Sequence, residues 1–245
     1  MTKGFFVTGT DTGVGKTVIA AALIKAAGIA GIRACGMKPI ETGCKKTGGM
    51  GRGGHAGKNE PLIRPDGMFL KKIAGMDESV DLITPICFES PLAPLSASKI
   101  EKKSIEMAKI KKSFARLAKN YDAIIVEGIG GLLVPIKKEY FILDLARDLG
   151  LPLIVVSRPG LGTINHTMLT VNYALQEGLT VAGIIINYSH PPERDLAEKT
   201  NPEVIKQVSP VPLIGIFPYL RDLQGATIEK AAAKNLDMDI VKKHL

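Results

Sequence analysis

Apolar residues follow two alternating patterns along this chain. Short runs rich in valine and isoleucine are typical of strands that are buried on both faces of a parallel sheet. The longer segments between these runs repeat apolar residues at helical spacing. The short runs predict strands at residues 4–7, 33–38, 84–88, 123–126, 152–157, 181–187 and 211–216.

The segments between the strands predict helices. The first covers residues 18–25, and a second begins near Asp66, which we assign as its N-cap. Pro91 and Pro94 indicate the start of a helix that runs into Ser96, and a lysine-rich amphipathic helix follows over residues 99–119. Another helix begins at an N-cap of Thr163, and a last one starts at about Thr227. Because strands and helices alternate over the whole length, the predicted fold is α/β, with a doubly wound, mostly parallel sheet and helices on both faces.

The size of the chain favours a single domain. Its 245 residues, of which 45% are hydrophobic, can bury the core of one α/β domain, predicted to span residues 1–245. No apolar run reaches the roughly 18 residues of a membrane span, and the N-terminus enters a strand without a signal peptide. Cys35, Cys44 and Cys87 form no CxxC pair and the four histidines are scattered. We therefore expect a cytoplasmic protein with no membrane partner and no zinc site.

A glycine-rich, basic segment covers residues 43–58. It has too few apolar residues to offset the entropy of ordering the chain, so we expect a mobile loop. Such a loop could act as a lid over a bound nucleotide, or it could be an insertion that the fold tolerates.

The net charge of +8 raises the question of a nucleic-acid partner. Much of the excess lies in the lysine-rich segment 99–119, where it is typical of the solvated face of an amphipathic helix. Aromatic residues make up only 5% of the chain and tryptophan is missing, so a surface that stacks on bases is not expected. We expect no nucleic-acid partner, whereas phosphate ligands would suit a basic protein.

Residues 8–17 read Thr-Gly-Thr-Asp-Thr-Gly-Val-Gly-Lys-Thr and lie between the first strand and the first helix. This context predicts a phosphate-binding P-loop, in which backbone N–H groups and a helix N-terminus surround an anion. Lys16 is expected to reach the β- and γ-phosphates, and Thr17 to bind Mg²⁺. The loop is a variant, because Thr10 stands where the common form has glycine and Gly9 comes one residue early. An ordinary strand-to-helix turn is the alternative, and the glycine spacing does not fit a dinucleotide-binding turn.

Polar residues follow other predicted strands at their carboxyl ends. Lys38 follows the second strand, Glu127 follows the strand at 123–126, and Asn187 ends a later strand. The carboxyl ends of an open α/β sheet form its ligand-binding edge, so we expect these residues to share a site with the P-loop. Lys38 could hold a phosphate, Glu127 could help to hold Mg²⁺, and Asn187 could read a base. Lys38 could also be an ordinary surface lysine, and the loop at 158–166 could be either an anion site or a plain connection.

Five motifs, in this order along the chain, together resemble the dethiobiotin synthase family from about residue 4 to residue 220. They are the variant P-loop at 7–17, Gly-Met-Lys-Pro-Ile-Glu-Thr-Gly at 36–43, Val-Glu-Gly-Ile-Gly-Gly at 126–131, Gly-Thr-Ile-Asn-His at 162–166 and Ala-Gly-Ile-Ile-Ile-Asn at 182–187. The resemblance implies a P-loop NTPase-like fold and ATP- and Mg²⁺-dependent closure of a ureido ring on 7,8-diaminononanoate with CO₂, giving dethiobiotin, ADP and phosphate in biotin biosynthesis. It also implies that a carbamate and a carbamic–phosphoric anhydride are intermediates.

The resemblance also implies roles for individual residues near the phosphates. These roles are catalysis by Thr12, Lys16 and Lys38, contact with the diamine by Thr42, and binding of Mg²⁺ by Thr17, Asp66 and Glu127. Nucleotide contacts are implied for Gly13, Val14, Gly15, Val18, Gly128 and Gly130.

Two further sites are implied away from the phosphates. The adenine would be held by Asn187 together with the backbone of Phe217, Pro218 and Tyr219. The loop that contains Gly162, Thr163 and Asn165 resembles the segment that, in the family's dimer, receives the substrate carboxylate from the neighbouring subunit. A homodimer with the substrate site at the subunit interface is therefore implied.

Two rival functions share a P-loop sheet of this kind. The nucleotide domain of a corrinoid-type amidating synthase would need an additional glutamine-hydrolysing domain, for which 245 residues leave no space. A partition or positioning ATPase, acting as a switch on DNA or membrane, carries a lysine five residues before the lysine of Gly-Lys-Thr. Here that position is Asp11, which has the opposite charge.

Overall fold

The structure of the chain is a computed structural model, which describes residues 2–46 and 61–245. The strands are β1 (Lys3–Gly9), β2 (Ala34–Met37), β3 (Ile40–Glu41), β4 (Lys45–Lys46), β5 (Leu62–Ile63), β6 (Ile86–Cys87), β7 (Ala123–Glu127), β8 (Pro135–Lys137), β9 (Tyr140–Phe141), β10 (Leu153–Ser157), β11 (Val181–Asn187) and β12 (Leu213–Phe217). The helices are α1 (Lys16–Ile29), α2 (Pro65–Ala74), α3 (Val80–Ile83), α4 (Pro94–Ile100), α5 (Met107–Asn120), α6 (Ile142–Leu149), α7 (Thr163–Gln176), α8 (Leu196–Val208), α9 (Gly225–Asn235) and α10 (Met238–Lys242).

A six-stranded parallel sheet forms the centre of the fold, with the strand order β12-β11-β10-β1-β7-β2. Successive residues of β1 point to opposite faces, so Phe5 and Val7 join one apolar core and Phe6 joins the other. Both faces are covered, which explains why the central strands are continuous apolar runs. The predicted α/β fold with a doubly wound parallel sheet is confirmed.

The predicted strand at residues 84–88 is shorter than expected and lies outside the main sheet. It is reduced to β6, which pairs in parallel with β3 in a separate two-stranded sheet. Pro85 has no N–H to donate, which shortens the strand at its start. The pairing places Glu41, at the end of β3, beside Cys87.

The prediction of one lysine-rich helix over residues 99–119 is wrong, because the segment forms α4 and α5 with a break between them. Lys102 has a left-handed φ of 51°, which a continuous helix does not allow. The side chain of Lys103 donates to the carbonyl of Cys87 at 2.6 Å, and Glu101 accepts from the backbone N–H of Ser90 at 2.7 Å. These contacts with a distant part of the chain hold the break in place.

Neither predicted N-cap occupies that position. Helix α2 begins at Pro65 with Arg64 as its N-cap, so Asp66 lies inside the first turn. Its carboxylate pairs with Lys38 and does not cap the helix. Helix α7 is preceded by Gly162 as the N-cap, and Thr163 is its first residue. Sequence patterns locate helix ends only to within a few residues, because fraying and tertiary contacts decide them.

Most of the predicted mobile loop at 43–58 lies outside the described residues, since these resume at residue 61. The described beginning of this segment forms β4, which pairs in an antiparallel manner with β5. In the described part of the chain, none of the helices is long and apolar enough to cross a membrane.

Candidate functional site

A cavity of about 270 Å³ lies at the carboxyl ends of β1, β7 and β2. In the sheet, Val7 is opposite Glu127 and Met37 is opposite Val126, so the residues that follow these three strands become neighbours. Parallel strands place all their carboxyl ends on one edge, which explains why residues far apart in sequence meet there. The lining residues are Thr12, Gly13, Gly15, Lys16, Thr17, Lys38, Glu41, Thr42, Asp66, Glu127, Ile129 and Gly130.

The P-loop joins β1 to α1 and forms one wall of this cavity. The N–H of Thr10 donates to the carbonyl of Val156 at 2.9 Å, so position 10 continues the sheet and can be threonine. Gly15 precedes α1 with a φ of 88°, and a Cβ there would lie 2.1 Å from the amide nitrogen of Asn187. Only glycine fits this position. The N-terminus of α1, with Lys16 as its first residue, therefore begins at the cavity, where its positive dipole end favours an anion.

Four predicted site residues form a connected network in the cavity. The ammonium of Lys38 donates to Glu127 Oε1 at 2.6 Å and to the carbonyl of Gly128 at 3.2 Å. The same ammonium lies 2.9 Å from Asp66 Oδ2. The hydroxyl of Thr17 donates to Glu127 Oε1 at 2.8 Å. The ion pairs and hydrogen bonds thus connect the P-loop, the end of β2, the end of β7 and the start of α2.

The two lysines of the site differ in how firmly they hold their protons. Burial, followed by the nearby charge of Lys38, lowers the pKa of Lys16 to about 8. Burial also works against the ammonium of Lys38, but the carboxylates of Glu127 and Asp66 outweigh it and raise the pKa of Lys38 above its ordinary value. Lys38 is therefore a fixed cation at neutral pH, whereas Lys16 becomes fully charged when an anion is bound beside it.

The oxygen atoms in this network suit a magnesium ion. Thr17, Asp66 and Glu127 offer one hydroxyl and two carboxylates, which are the hard ligands that Mg²⁺ prefers. Glu127 Oε2 is buried and finds no hydrogen-bond partner within residues 2–46 and 61–245, so an acceptor is left for a cation. Those same residues contain no group of three or more His, Cys, Asp or Glu side chains that could hold a metal by themselves. An ion that shares its coordination with phosphate oxygens needs no such group.

Glu41 is a buried acid of the cavity that the sequence patterns do not identify as a site residue. Its side chain is enclosed and accepts the backbone N–H groups of Asp66 at 2.9 Å and Gly67 at 3.1 Å. Burial raises the pKa of Glu41 to about 7, although the N–H of Asp66 favours the ionised form. The signal in the sequence is an acid between Ile40 and Thr42 at a strand end, but its partners lie 25 and 26 residues further along the chain.

The predicted adenine residues lie on the other side of the P-loop. The amide nitrogen of Asn187 donates to the carbonyl of Val14 at 2.8 Å, and its Oδ1 is buried with no partner in the described residues. The side chain of Phe217 is fully buried, so only its backbone could face a ligand, and the half-buried Pro218 and exposed Tyr219 follow it. Val18, in α1, packs against the apolar core.

The loop with Gly162, Thr163 and Asn165 does not line the cavity that contains Lys38. Thr163 is buried, and its hydroxyl lies 3.5 Å from that of Thr167. The neighbouring residues Gly160 and Leu161 line a second cavity of about 470 Å³, which the P-loop separates from the first.

Comparison with known proteins points to one family. The sequence profile of a family described as an AAA domain matches residues 3–227. The chain is 46% identical over 246 residues to a protein named ATP-dependent dethiobiotin synthetase BioD from Thermodesulfovibrio yellowstonii, covering 98% of each chain. It is 39% identical to the protein of the same name from Bacillus subtilis over 244 residues, covering 98% of this chain and 97% of that one.

Solved structures show the same fold at low sequence identity. The cell division protein MinD of Aquifex aeolicus superposes with a TM-score of 0.54 at 15% identity, covering 98% of this chain and 96% of that one. A ParA family ATPase from Chlorobium tepidum superposes with a TM-score of 0.50 at 16% identity, covering 96% and 91%. These likenesses establish the P-loop NTPase-like fold.

Proposed function

The chain belongs to the family of ATP-dependent dethiobiotin synthetases, and from that premise we propose that the cavity at the ends of β1, β7 and β2 is its catalytic site. The protein is an ATP-dependent ligase of biotin biosynthesis that forms dethiobiotin and uses ATP and Mg²⁺. The observation that carries the proposed location is the convergence of two lysines and three acidic side chains on one cavity beside the P-loop.

The reaction would proceed in three steps. One amine of 7,8-diaminononanoate adds to CO₂ and loses a proton, which forms a carbamate. A carbamate oxygen then attacks the γ-phosphorus of ATP, the bond to the β-phosphate oxygen breaks, and ADP leaves. The second amine attacks the carbonyl carbon of the resulting carbamic–phosphoric anhydride and loses a proton. The bond from that carbon to the phosphate oxygen breaks, phosphate departs, and the new carbon–nitrogen bond closes the ring. The product keeps the carbon of CO₂ as its ureido carbonyl.

The side chains of the cavity suit these steps. Phosphoryl transfer spreads negative charge over the transferred group, so its rate depends on positioning and on fixed positive charge. Lys38 remains an ammonium because two carboxylates surround it, and it would contact the carbamate and the departing phosphate. Lys16 would neutralise the β- and γ-phosphates, Thr12 would contact the carbamate, and Thr42 would hold the diamine.

Thr17, Asp66 and Glu127 would hold the magnesium ion, which, when bound, neutralises charge on the phosphate oxygens. Backbone N–H groups of Gly13, Val14 and Gly15 would bind the phosphates. Val18, in the first turns of α1, and Gly128 and Gly130, at the opposite wall of the cavity, would also contact the nucleotide. On the far side of the P-loop, the Oδ1 of Asn187, which finds no partner among the described residues, would hold the adenine together with the backbone of Phe217, Pro218 and Tyr219.

The active unit would be a homodimer. Leu161, which precedes Gly162, is 81% exposed, and Leu133 and Leu169, which are 57% and 61% exposed, line one cavity beside the following helix. Exposed apolar side chains that lie together would suit a surface that another protein covers. A second copy seated there would bring that loop to its partner's site and receive the substrate carboxylate. The three free, buried cysteines suit a reducing compartment, so we place the enzyme in the cytoplasm, with small molecules as its ligands.

The assay that tests the function uses the purified chain with 7,8-diaminononanoate, bicarbonate and Mg·ATP. Dethiobiotin and ADP should form in equal amounts, and Lys38→Ala or Lys16→Ala should abolish both. Lys25→Ala, which removes a partly exposed lysine 3.8 Å from Glu229, serves as the control and should stay active. ATP hydrolysis that does not depend on the diamine would contradict the proposal.

A further inference from the structure

The start of helix α2 is anchored by a residue from another element. The first N–H groups of a helix have no partner inside the helix and need an acceptor. The N-cap, Arg64, cannot supply one, because a guanidinium carries only donors. Glu41, at the end of β3, supplies two acceptors, since Oε1 accepts the N–H of Asp66 at 2.9 Å and Oε2 accepts that of Gly67 at 3.1 Å.

The packing around this anchor leaves little freedom. Glu41 is only 3% exposed. A Cβ on Gly67 would lie 2.0 Å from the hydroxyl oxygen of Thr84, so the helix start is pressed against the residues before β6. A carboxylate at a helix N-terminus is stabilised by the helix dipole as well as by its hydrogen bonds. Glu41 thus fixes the first turn of α2 against β3.

The same turn carries the Asp66 carboxylate. Its Oδ2 lies 2.9 Å from Lys38 Nζ, while its side chain is 36% exposed and is therefore held weakly by packing. The position of this carboxylate therefore depends on the backbone of residues 66 and 67, whose N–H groups donate to Glu41.

We propose that Glu41 is a positioning residue that fixes the first turn of α2 and thereby holds the Asp66 carboxylate in place for Lys38 and for the magnesium ion. The part of this inference that concerns magnesium rests on the proposed function. Glu41 acts through Asp66 and takes no part in the chemical steps.

The first test measures amide hydrogen exchange in the protein without metal or nucleotide. Glu41→Gln is nearly isosteric and keeps one acceptor, so it preserves the fold while it removes the charge and the second acceptor. Exchange of residues 65–70 should become up to roughly tenfold faster than in the wild type, as expected for the loss of one hydrogen bond. Asp237→Asn is the matched control, because Asp237 also accepts two backbone N–H groups, at the start of α10, outside the cavity. It should speed exchange in α10 only.

The second test measures the Mg²⁺ affinity of the ADP complex by calorimetry in a double-mutant cycle. Glu41→Gln should weaken Mg²⁺ binding roughly three- to tenfold, Asp66→Asn should weaken it more, and Glu41→Gln should add nothing in the Asp66→Asn background. In the assay, Glu41→Gln should raise the Mg²⁺ concentration needed for half-maximal dethiobiotin formation and leave kcat at saturating Mg²⁺ close to the wild-type value.

Three results would overturn the proposal: unchanged exchange in α2, an effect of Glu41→Gln that persists in full beside Asp66→Asn, or a lower kcat with an unchanged Mg²⁺ requirement. The last would mean that Glu41 contacts the substrate directly. If the wild type formed no dethiobiotin, the proposed function would fail, and the exchange experiment would still decide whether Glu41 holds α2.

Discussion

The ammonium of Lys38 lies 2.6 Å from Glu127 Oε1, and the two side chains are only 5% and 1% exposed. The residues are 89 positions apart and meet because β2 and β7 are neighbours in the sheet. A buried ion pair of this kind contributes little net stability, since removing both charges from water costs about as much as their attraction returns. Its position beside the P-loop therefore indicates a functional arrangement.

Lys38→Met should reduce the free energy of unfolding by about 3–5 kcal/mol at pH 8, because Glu127 is left buried without its cation. Burial raises the pKa of Glu127, so protonation at lower pH removes the unpaired charge and the deficit should shrink toward pH 5. Urea denaturation at the two pH values measures both effects.

The double variant Lys38→Met/Glu127→Gln should regain most of the lost stability while staying inactive. Lys111→Met is the control, because its exposed pair with Asp148 should contribute less than about 1 kcal/mol. A Lys38→Met deficit as small as that of Lys111→Met would contradict the buried pairing.

Gly15→Ala should weaken ATP binding by roughly 100-fold or more. The substitution forces a left-handed φ of 88° on alanine and places its Cβ 2.1 Å from the Asn187 amide, so the P-loop must move. Gly13→Ala is the matched variant, since its φ of 78° imposes a similar strain but its Cβ meets no atom within 4 Å. Calorimetric titration with ATP should show a much smaller loss for Gly13→Ala. Equal losses of ATP affinity would mean that backbone strain alone, and not the contact with Asn187, explains why position 15 requires glycine.

ATP binding should take up protons near pH 8. In the free protein Lys16 has a pKa of about 8, so it loses its charge as the pH rises through that value. A bound triphosphate favours the ammonium and raises this pKa, so affinity should fall above pH 8. Calorimetry in two buffers with different ionisation enthalpies measures the uptake. Lys16→Arg stays charged throughout and should lose the uptake, and persistence of the full effect in that variant would assign it to another group.

Leu169→Glu should convert the proposed homodimer to a monomer and reduce dethiobiotin formation. A carboxylate in the proposed interface would have to be desolvated on association, which is costly. Ile29→Glu is the control, because Ile29 is 45% exposed at the end of α1 that lies away from the P-loop. Sedimentation velocity should detect the dissociation. A Leu169→Glu variant that remains dimeric and active would place the interface elsewhere.

The P-loop and the residues at the strand ends could be predicted because short stretches of sequence are enough to indicate them. The P-loop needs only a strand, a glycine-rich turn and a helix start, all within about 20 residues. Lys38 and Glu127 can be predicted as site residues because each stands at the end of an apolar run, and parallel strands bring their carboxyl ends to one edge. In the structure, Lys38 and Glu127 both line the same cavity.

Other features could not be predicted, since they depend on contacts between distant segments. The local pattern predicts Asp66 as a helix cap, but in the structure its carboxylate lies 2.9 Å from Lys38 Nζ, on a turn that donates to Glu41 of a different strand. The helix predicted over 99–119 is interrupted where Lys103 contacts the carbonyl of Cys87. Each of these contacts outweighs the local helix-forming or helix-capping preference, which is on the order of 1 kcal/mol.

The sequence by itself determined the succession of strands and helices, the doubly wound sheet and the identity of the phosphate-binding loop, because hydrophobic period and turn chemistry act over a few residues. The tertiary structure alone decided which acid pairs with which lysine, which carboxylate accepts the first N–H groups of α2, and on which side of the P-loop each site residue lies. Those choices follow from packing, which brings together groups separated by 25 to 173 residues, and no local pattern encodes them.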